Sequence, residues 1–168
     1  RALMAIAVCL RFDEQTEALV EQLWRALGSD MLQLGYPPHL TLVVVSDEVD
    51  LGVLLHALPR IASHVPASVE LGEPRMFPGT EVIYLPCSGE LRPLHKLVAD
   101  LVPRDLVHEH YRPETWTPHV TLQTKGDAGR TLALAAVEWR ACDAVPVALD
   151  LLSFPPVAVY ASLSIGQR

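Results

Sequence analysis

The sequence is poor in cysteine and has no long apolar run. Its three cysteines, Cys9, Cys87 and Cys142, are an odd number and form no CxxC pair. This argues against a disulfide framework and against a structural zinc site, and it favours reduced thiols in a cytoplasmic protein. No apolar run reaches the roughly 18 residues that a membrane helix needs, so we expect no membrane association.

Basic residues are also scarce. Lys and Arg total 13 against 20 Asp and Glu, which gives a formal net charge of −7. Proteins that bind long duplexes gain much of their affinity from cations that neutralise phosphates, so we expect no duplex DNA partner. A local anion site or a short RNA end is compatible with this charge. The 168 residues, half of them apolar, suffice for one domain with a sizeable core.

Periodicity divides the chain into two approximate halves, residues 1–77 and 78–168. Each half predicts a strand, a helix, a strand, a helix and then strand structure. Asp13 and Asp50 are the predicted N-caps of the first two helices, and Pro59 is predicted to kink or split the second. The predicted strands are Ala2–Leu10, His39–Val45, Ala67–Leu71, Glu81–Leu85, Pro118–Thr124, Val145–Leu152 and Val157–Leu163.

A five-residue pattern occurs in both halves. It reads Pro-His-Leu-Thr-Leu at residues 38–42 and Pro-His-Val-Thr-Leu at residues 118–122. Side chains alternate between the faces of a strand, so His39 and Thr41 share one face, and His119 and Thr121 do the same. If a pseudo-two-fold axis relates the halves, two His/Thr pairs converge on one cleft.

Two such pairs suit phosphodiester chemistry without a metal. An imidazole titrates near pH 6.5, so one histidine can be neutral and remove a proton while the other is charged and donates one. Threonine hydroxyls can donate hydrogen bonds to the non-bridging phosphate oxygens. We therefore expect His39 and His119 to be catalytic, Thr41 and Thr121 to bind phosphate, and no metal or other cofactor to be needed.

The two His-x-Thr-x motifs, 80 residues apart, resemble those of the 2H phosphoesterase superfamily and, within it, the bacterial 2′-5′ RNA ligase and RNA 2′,3′-cyclic phosphodiesterase group. The resemblance implies an α+β, bilobal, duplicated fold in which antiparallel sheets line a central cleft and helices lie outside. It also implies metal-free hydrolysis of 2′,3′-cyclic phosphates or 2′-5′ linkages, with 2′-5′ RNA ligation as the reverse reaction. The implied partner is a small nucleotide or an RNA end with a cyclic phosphate, and we expect a monomer.

Five further residues are candidates for substrate binding. By strand alternation, Gln123 is expected to share the face of His119. Lys125 follows the second motif, near where many bacterial ligase-like members carry a basic residue. Tyr36 and Trp116 each lie three residues before a motif histidine, and their rings could stack on a nucleobase or pack at the rim of the cleft. Phe77 precedes a Pro-Gly turn and could line the groove.

Two other functions are compatible with these residues. The same cleft could bind a nucleotide or an RNA end without turnover. Alternatively, His108 and His110 form a His-x-His pair that could be half of a metal site in a metal-dependent hydrolase, although no third and fourth ligands lie at a telling spacing.

Overall fold

The computed structural model describes residues 4–166, which contain four α-helices and nine strands. The helices are α1 (Glu14–Leu27), α2 (Leu51–Ser63), α3 (Arg92–Ala99) and α4 (Ala128–Glu138). The strands are β1 (Ala5–Phe12), β2 (His39–Ser46), β3 (Val69–Leu71), β4 (Arg75–Met76), β5 (Ile83–Ser88), β6 (His119–Gln123), β7 (Cys142–Ala144), β8 (Pro146–Phe154) and β9 (Ala158–Ser164). Within this part of the chain, no helix is both long and apolar enough to cross a bilayer.

The predicted elements are confirmed, with small shifts at their ends. Asp13 caps α1 by accepting a hydrogen bond from the Thr16 amide at 2.9 Å, and Asp50 caps α2 in the same way. Of the two outcomes predicted for Pro59, a split of α2 is wrong, since the helix continues to Ser63. The carbonyl that loses its helical donor there belongs to Leu55, an exposed residue. Of the first predicted strand, Ala2 and Leu3 lie outside the described residues.

All strand pairs are antiparallel, in the order β7-β3-β5-β6-β2-β1-β8-β9, and β4 also pairs with β5. The first half of the chain places β1 beside β2, and the second half places β5 beside β6. Two strands of the first half, β3 and β4, cross to pair with β5, whereas β8 from the second half pairs with β1. This reciprocal exchange is the pseudo-two-fold arrangement that the repeat predicts.

The main core lies between the sheet and the helices. The apolar residues that follow the histidine and the threonine of each motif are at most 1% exposed; they are Leu40, Leu42, Val120 and Leu122. Helix α1 packs against β1 and β6, and α3 packs against β2. Burial of these apolar positions determines which face of each motif strand points away from the helices, because a strand alternates its side chains. The histidine and threonine of each motif therefore lie on the opposite face.

Candidate active site

The two motif strands are neighbours at the centre of the sheet. Strand β2 pairs with β6 at Leu40 and Val120. Because the pairing is antiparallel, the adjoining positions place His39 across from Thr121 and Thr41 across from His119. All four side chains are half-buried on the same face of the sheet. The structure thus brings the four predicted site residues into one patch.

Each motif strand contains a β-bulge at the residue that follows its threonine. In the β1–β2 ladder, Cys9 pairs with Thr41 but Val8 pairs with Val43, so Leu42 is an extra residue. In the β5–β6 ladder, Tyr84 pairs with Thr121 but the adjacent Ile83 pairs with Gln123, so Leu122 is an extra residue. The repeat therefore includes a local distortion of the backbone as well as the side-chain pattern.

The second bulge overturns the prediction for Gln123. The extra residue reverses the alternation after Thr121, so Gln123 points towards the helices and is 4% exposed. Its amide donates to the Glu81 carbonyl at 3.0 Å and accepts from the Thr131 hydroxyl at 2.7 Å. Its hydrogen bonds are made inside the protein, and its role is structural.

Backbone carbonyls orient both motif histidines in the same way. Nδ1 of His39 lies 2.8 Å from the Pro37 carbonyl, and Nδ1 of His119 lies 2.7 Å from the Thr117 carbonyl. A carbonyl oxygen only accepts, so Nδ1 carries the proton in each ring. Nε2 of a neutral ring is then an acceptor and Nε2 of a charged ring is a donor. Either histidine can therefore act as a base or as an acid at Nε2.

Burial makes both rings harder to protonate. The pKa of His39 falls from about 6.5 to about 4, mainly because of burial and to a smaller extent because of the nearby His119, while the Pro37 carbonyl and the Asp150 carboxylate oppose the change. Burial also lowers the pKa of His119, against the effect of the Thr117 carbonyl.

An aromatic cavity of about 460 Å³ opens beside His119. Phe77 lines it and stacks on Tyr84 with ring centroids 4.0 Å apart. Both rings present an edge contact to His119, at 5.2 and 5.6 Å. Of the five residues predicted for substrate binding, Phe77 is the one that lines this cavity. Its size and its largely apolar wall suit a flat ring such as a nucleobase.

Tyr111 also lines this cavity, and the sequence analysis missed it. Its hydroxyl interacts with the side chain of Thr41, and burial raises its pKa to about 12, so the phenol stays protonated. The His95 Nε2 donates to the Tyr111 carbonyl at 2.8 Å and fixes this part of the loop. No motif surrounds Tyr111 in the sequence, so only the fold could reveal its position.

A polar network lies on the His39 side of the sheet. Asp150, 2% exposed, accepts hydrogen bonds from Arg11 Nε at 2.8 Å, the Tyr36 hydroxyl at 2.5 Å and the Ser162 hydroxyl at 2.6 Å. The Tyr36 ring meets His39 edge-on at 4.8 Å. Tyr36 is therefore a buried support for His39, which corrects its prediction as a stacking surface.

Trp116 is likewise buried, at 2% exposure, and cannot stack on a nucleobase. Its indole lies parallel to the His95 ring at 4.0 Å, and Nε1 donates to the Thr41 carbonyl at 3.3 Å. The prediction placed this ring at the cleft because it precedes the motif by three residues. The chain enters β6 from the core side, and the ring remains there.

Lys125 and the His-x-His pair are not part of the four-residue patch, although His110 lines the cavity beside it. Lys125 is exposed in the turn between β6 and α4, and it does not line the cavity beside His119. His108 and His110 are exposed with ring centroids 5.3 Å apart, and His110 reaches the cavity wall. Across residues 4–166, no group of three or more His, Cys, Asp or Glu side chains is close enough to hold a metal ion.

Asp150→Ala should destabilise the fold. The change leaves the buried Tyr36 hydroxyl without its acceptor and Arg11 without its carboxylate, and charge-assisted bonds of this kind contribute about 2 kcal/mol. Urea unfolding measures the loss of free energy. Asp143→Ala, which removes an exposed carboxylate from the edge strand β7, is the control. Equal midpoints for the two variants would contradict the assignment of a stabilising role to this network.

Comparison with known proteins identifies the family of this chain. The family model described as the 2′-5′ RNA ligase superfamily matches residues 12–153, which include both motifs. The chain belongs to this superfamily. Membership confirms the resemblance seen in the two His-x-Thr-x motifs. No sequence among the curated proteins matches the chain.

Several solved structures share the fold of this chain. A phosphoesterase crystal structure is similar with a TM-score of 0.58 and 16% identity over 99% of this chain and 100% of the other. The structure of E. coli LigT complexed with NADP+ is similar with a TM-score of 0.57 and 13% identity. LigT complexed with 3′-AMP has a TM-score of 0.56 and 13% identity, and both comparisons have the same coverage. At these identities the likeness confirms the mixed α and β fold, with its curled antiparallel sheet, and nothing finer.

Proposed function

We propose that the protein is a metal-independent phosphodiesterase that hydrolyses 2′,3′-cyclic phosphates, or 2′-5′ linkages, of small nucleotides or RNA ends. One observation carries this proposal: two histidines, each with Nδ1 bonded to a carbonyl, lie on adjacent strands and across from each other's threonine. General acid–base catalysis needs two such groups on opposite sides of one phosphorus. Superfamily membership supports phosphodiesterase or ligase chemistry in general terms.

In the proposed reaction, Nε2 of the neutral histidine takes a proton from water while the water oxygen forms a bond to phosphorus. The bond between phosphorus and one ribose oxygen breaks, and Nε2 of the charged histidine donates its proton to that oxygen. The products are a phosphomonoester and a free ribose hydroxyl. The hydroxyls of Thr41 and Thr121 donate to the non-bridging oxygens, where negative charge increases in the transition state.

The reverse reaction uses the same groups. A 5′-hydroxyl takes the place of water, attacks the cyclic phosphate and forms a 2′-5′ linkage, so ligation and hydrolysis need one site. Water at high concentration and relief of strain in the five-membered ring favour hydrolysis. Phe77 is proposed to stack on the nucleobase, because it forms the wall of the cavity beside His119.

The proposal is tested with a substrate panel in excess EDTA. Purified protein is incubated with 2′,3′-cyclic nucleotides, cyclic-ended RNA, ADP-ribose cyclic phosphate and 2′-5′ oligoadenylates, and the products are separated by chromatography. Ring opening or 2′-5′ cleavage that EDTA does not inhibit supports the proposal. Nucleotide binding by calorimetry without any product over hours would instead identify a binding module. Activity lost with EDTA and restored by zinc would identify a metal-dependent enzyme.

The pH profile of kcat/KM should reach its maximum below pH 6.5. The base must be neutral, so the rate falls as the pH drops through its pKa; the acid must be charged, so the rate falls as the pH rises through its pKa. Both pKa values are lowered by burial, that of His39 to about 4. Initial rates between pH 3.5 and 9, with circular dichroism to verify folding at each pH, measure the profile. A maximum above pH 7.5 would contradict this expectation.

A further inference from the structure

Two tryptophans bind the backbone of the two motif threonines. Trp24 Nε1 donates to the Thr121 carbonyl at 3.1 Å, and Trp116 Nε1 donates to the Thr41 carbonyl at 3.3 Å. Both indoles are at most 3% exposed. Two indole bonds to equivalent residues of an internal repeat are a second duplicated feature of the site, beside the duplicated histidines and threonines.

The two carbonyls lie next to interruptions of the strand ladders. The β2–β6 ladder has Leu40 and Val120 as its one pair, and a bulge follows each threonine on the strand's other side. A bulge interrupts the regular alternation of ladder hydrogen bonds. A buried carbonyl left without a donor costs free energy, and in each strand an indole N–H provides the bond.

The two bonds cross between the halves of the sequence. Trp24 lies on α1, in the first repeat, and holds the threonine of the second motif. Trp116 precedes β6, in the second repeat, and holds the threonine of the first motif. Each half of the sequence therefore contributes a donor that acts on the motif of the other half, and neither motif is fully supported by its own repeat.

We infer that Trp24 and Trp116 are positioning residues that hold Thr121 and Thr41, respectively, in the orientation needed to bind the reacting phosphate. The carbonyl carbon of a threonine and the Cβ that carries its hydroxyl are bonded to the same Cα, so holding the carbonyl restricts the direction of the Cα–Cβ bond. A displacement of 1 Å in a catalytic site costs about 10²-fold in rate, and smaller shifts cost proportionally less. The inference rests on the proposed function for its kinetic readout.

Trp139 provides a matched control within the same chain. It is the third and last tryptophan of the sequence, it is 6% exposed, and its Nε1 also donates to a backbone carbonyl, that of Gly72 at 3.2 Å. Trp139→Phe therefore removes a comparable buried indole bond that is made to neither motif. It should lower stability while leaving kcat, per folded molecule, unchanged.

The test combines each tryptophan variant with each threonine variant. Trp24→Phe and Trp116→Phe should lower kcat by about tenfold with little change in KM. If Thr41→Val alone costs about 100-fold, Trp116→Phe/Thr41→Val should also cost about 100-fold, because the lost hydroxyl no longer needs positioning. The exchanged pair Trp24→Phe/Thr41→Val should cost about 1000-fold. The inference would be overturned if a tryptophan variant coupled equally to the threonine that it binds and to the threonine of the other motif. It would also be overturned if Trp24→Phe and Trp116→Phe had the same kcat as Trp139→Phe.

A second measurement separates this inference from the proposed function and covers variants that fold poorly. Tryptophan is replaced at one position by 3-benzothienylalanine, which keeps the shape of indole and lacks the N–H. The backbone ¹³C′ chemical shift of Thr41 should move with substitution at position 116, and that of Thr121 with substitution at position 24. A wild-type protein without turnover would refute the proposed function alone. Carbonyl shifts that do not respond would refute the positioning role whatever the activity.

Discussion

Replacing His39 or His119 by alanine should lower turnover of a 2′,3′-cyclic nucleotide by about 10²–10⁴-fold, the range typical of a lost positioned acid or base. Each imidazole is oriented by a carbonyl at 2.7–2.8 Å and faces the patch through Nε2. No other histidine lies on the two motif strands, so we expect neither loss to be compensated. The double variant should be little worse than either single variant, because acid and base act in one step.

The control for these variants is His56→Ala, which removes an exposed histidine from α2. Its kcat should equal that of the wild type. Circular dichroism and urea unfolding verify that each variant is folded. Rates unchanged by both His39→Ala and His119→Ala would end the proposal of two-histidine catalysis.

The same variants can assign the acid and the base. A nucleotide p-nitrophenyl phosphodiester releases p-nitrophenolate, which leaves without needing a proton. The variant that lacks the acid should therefore regain activity on this substrate, whereas the variant that lacks the base should not. The symmetric Nδ1 bonds of His39 and His119 do not decide between the two roles, so this experiment is required.

Thr41→Val and Thr121→Val should each lower kcat by about 10²-fold, as expected for the loss of one preorganised donor to a developing oxyanion. Valine keeps the β-branched shape that suits a strand, so the change removes the hydroxyl without altering the shape of the side chain. KM should change less than kcat, because negative charge on the non-bridging oxygens grows between the bound substrate and the transition state. Steady-state rates on a 2′,3′-cyclic nucleotide measure both constants.

Thr131→Val is the matched control for the loss of a hydroxyl. Thr131 is buried in α4 and donates to Gln123 on the helix side of the sheet. This variant should lose stability, because the Gln123 oxygen is left without its donor, but it should retain wild-type kcat. If Thr41→Val and Thr121→Val also retain wild-type kcat, phosphate binding by the motif threonines is wrong.

Local patterns in the sequence predict the elements of this fold and the membership of its family. Apolar periodicity identifies the strands and helices, and Asp13 and Asp50 mark helix starts because their side chains bind free amides nearby in sequence. The repeated Pro-His-x-Thr-Leu places histidine and threonine on one face because a strand alternates. These signals depend on residues within a few positions of each other, and they remain valid once the chain is folded.

The errors occur where the outcome depends on distant residues. Gln123 follows the alternation of β6 in the sequence, but pairing with β5 inserts a bulge that reverses it. Trp116 is three residues from His119, yet its ring packs on His95 of α3. The register of a neighbouring strand and the packing of a helix do not follow from the local sequence pattern, so the positions of Gln123 and Trp116 could not be predicted from it.

The sequence by itself determined the order of the elements, the twin motifs and the chemistry that two imidazoles and two hydroxyls can perform, because these follow from side-chain type and spacing. Only the tertiary structure decided that β2 lies beside β6, that Asp150 and Tyr36 support His39, and that each tryptophan reaches the opposite motif. Those contacts join residues 75 to 114 positions apart. Their formation depends on how the whole sheet pairs, which is a property of the assembled chain and of no single segment.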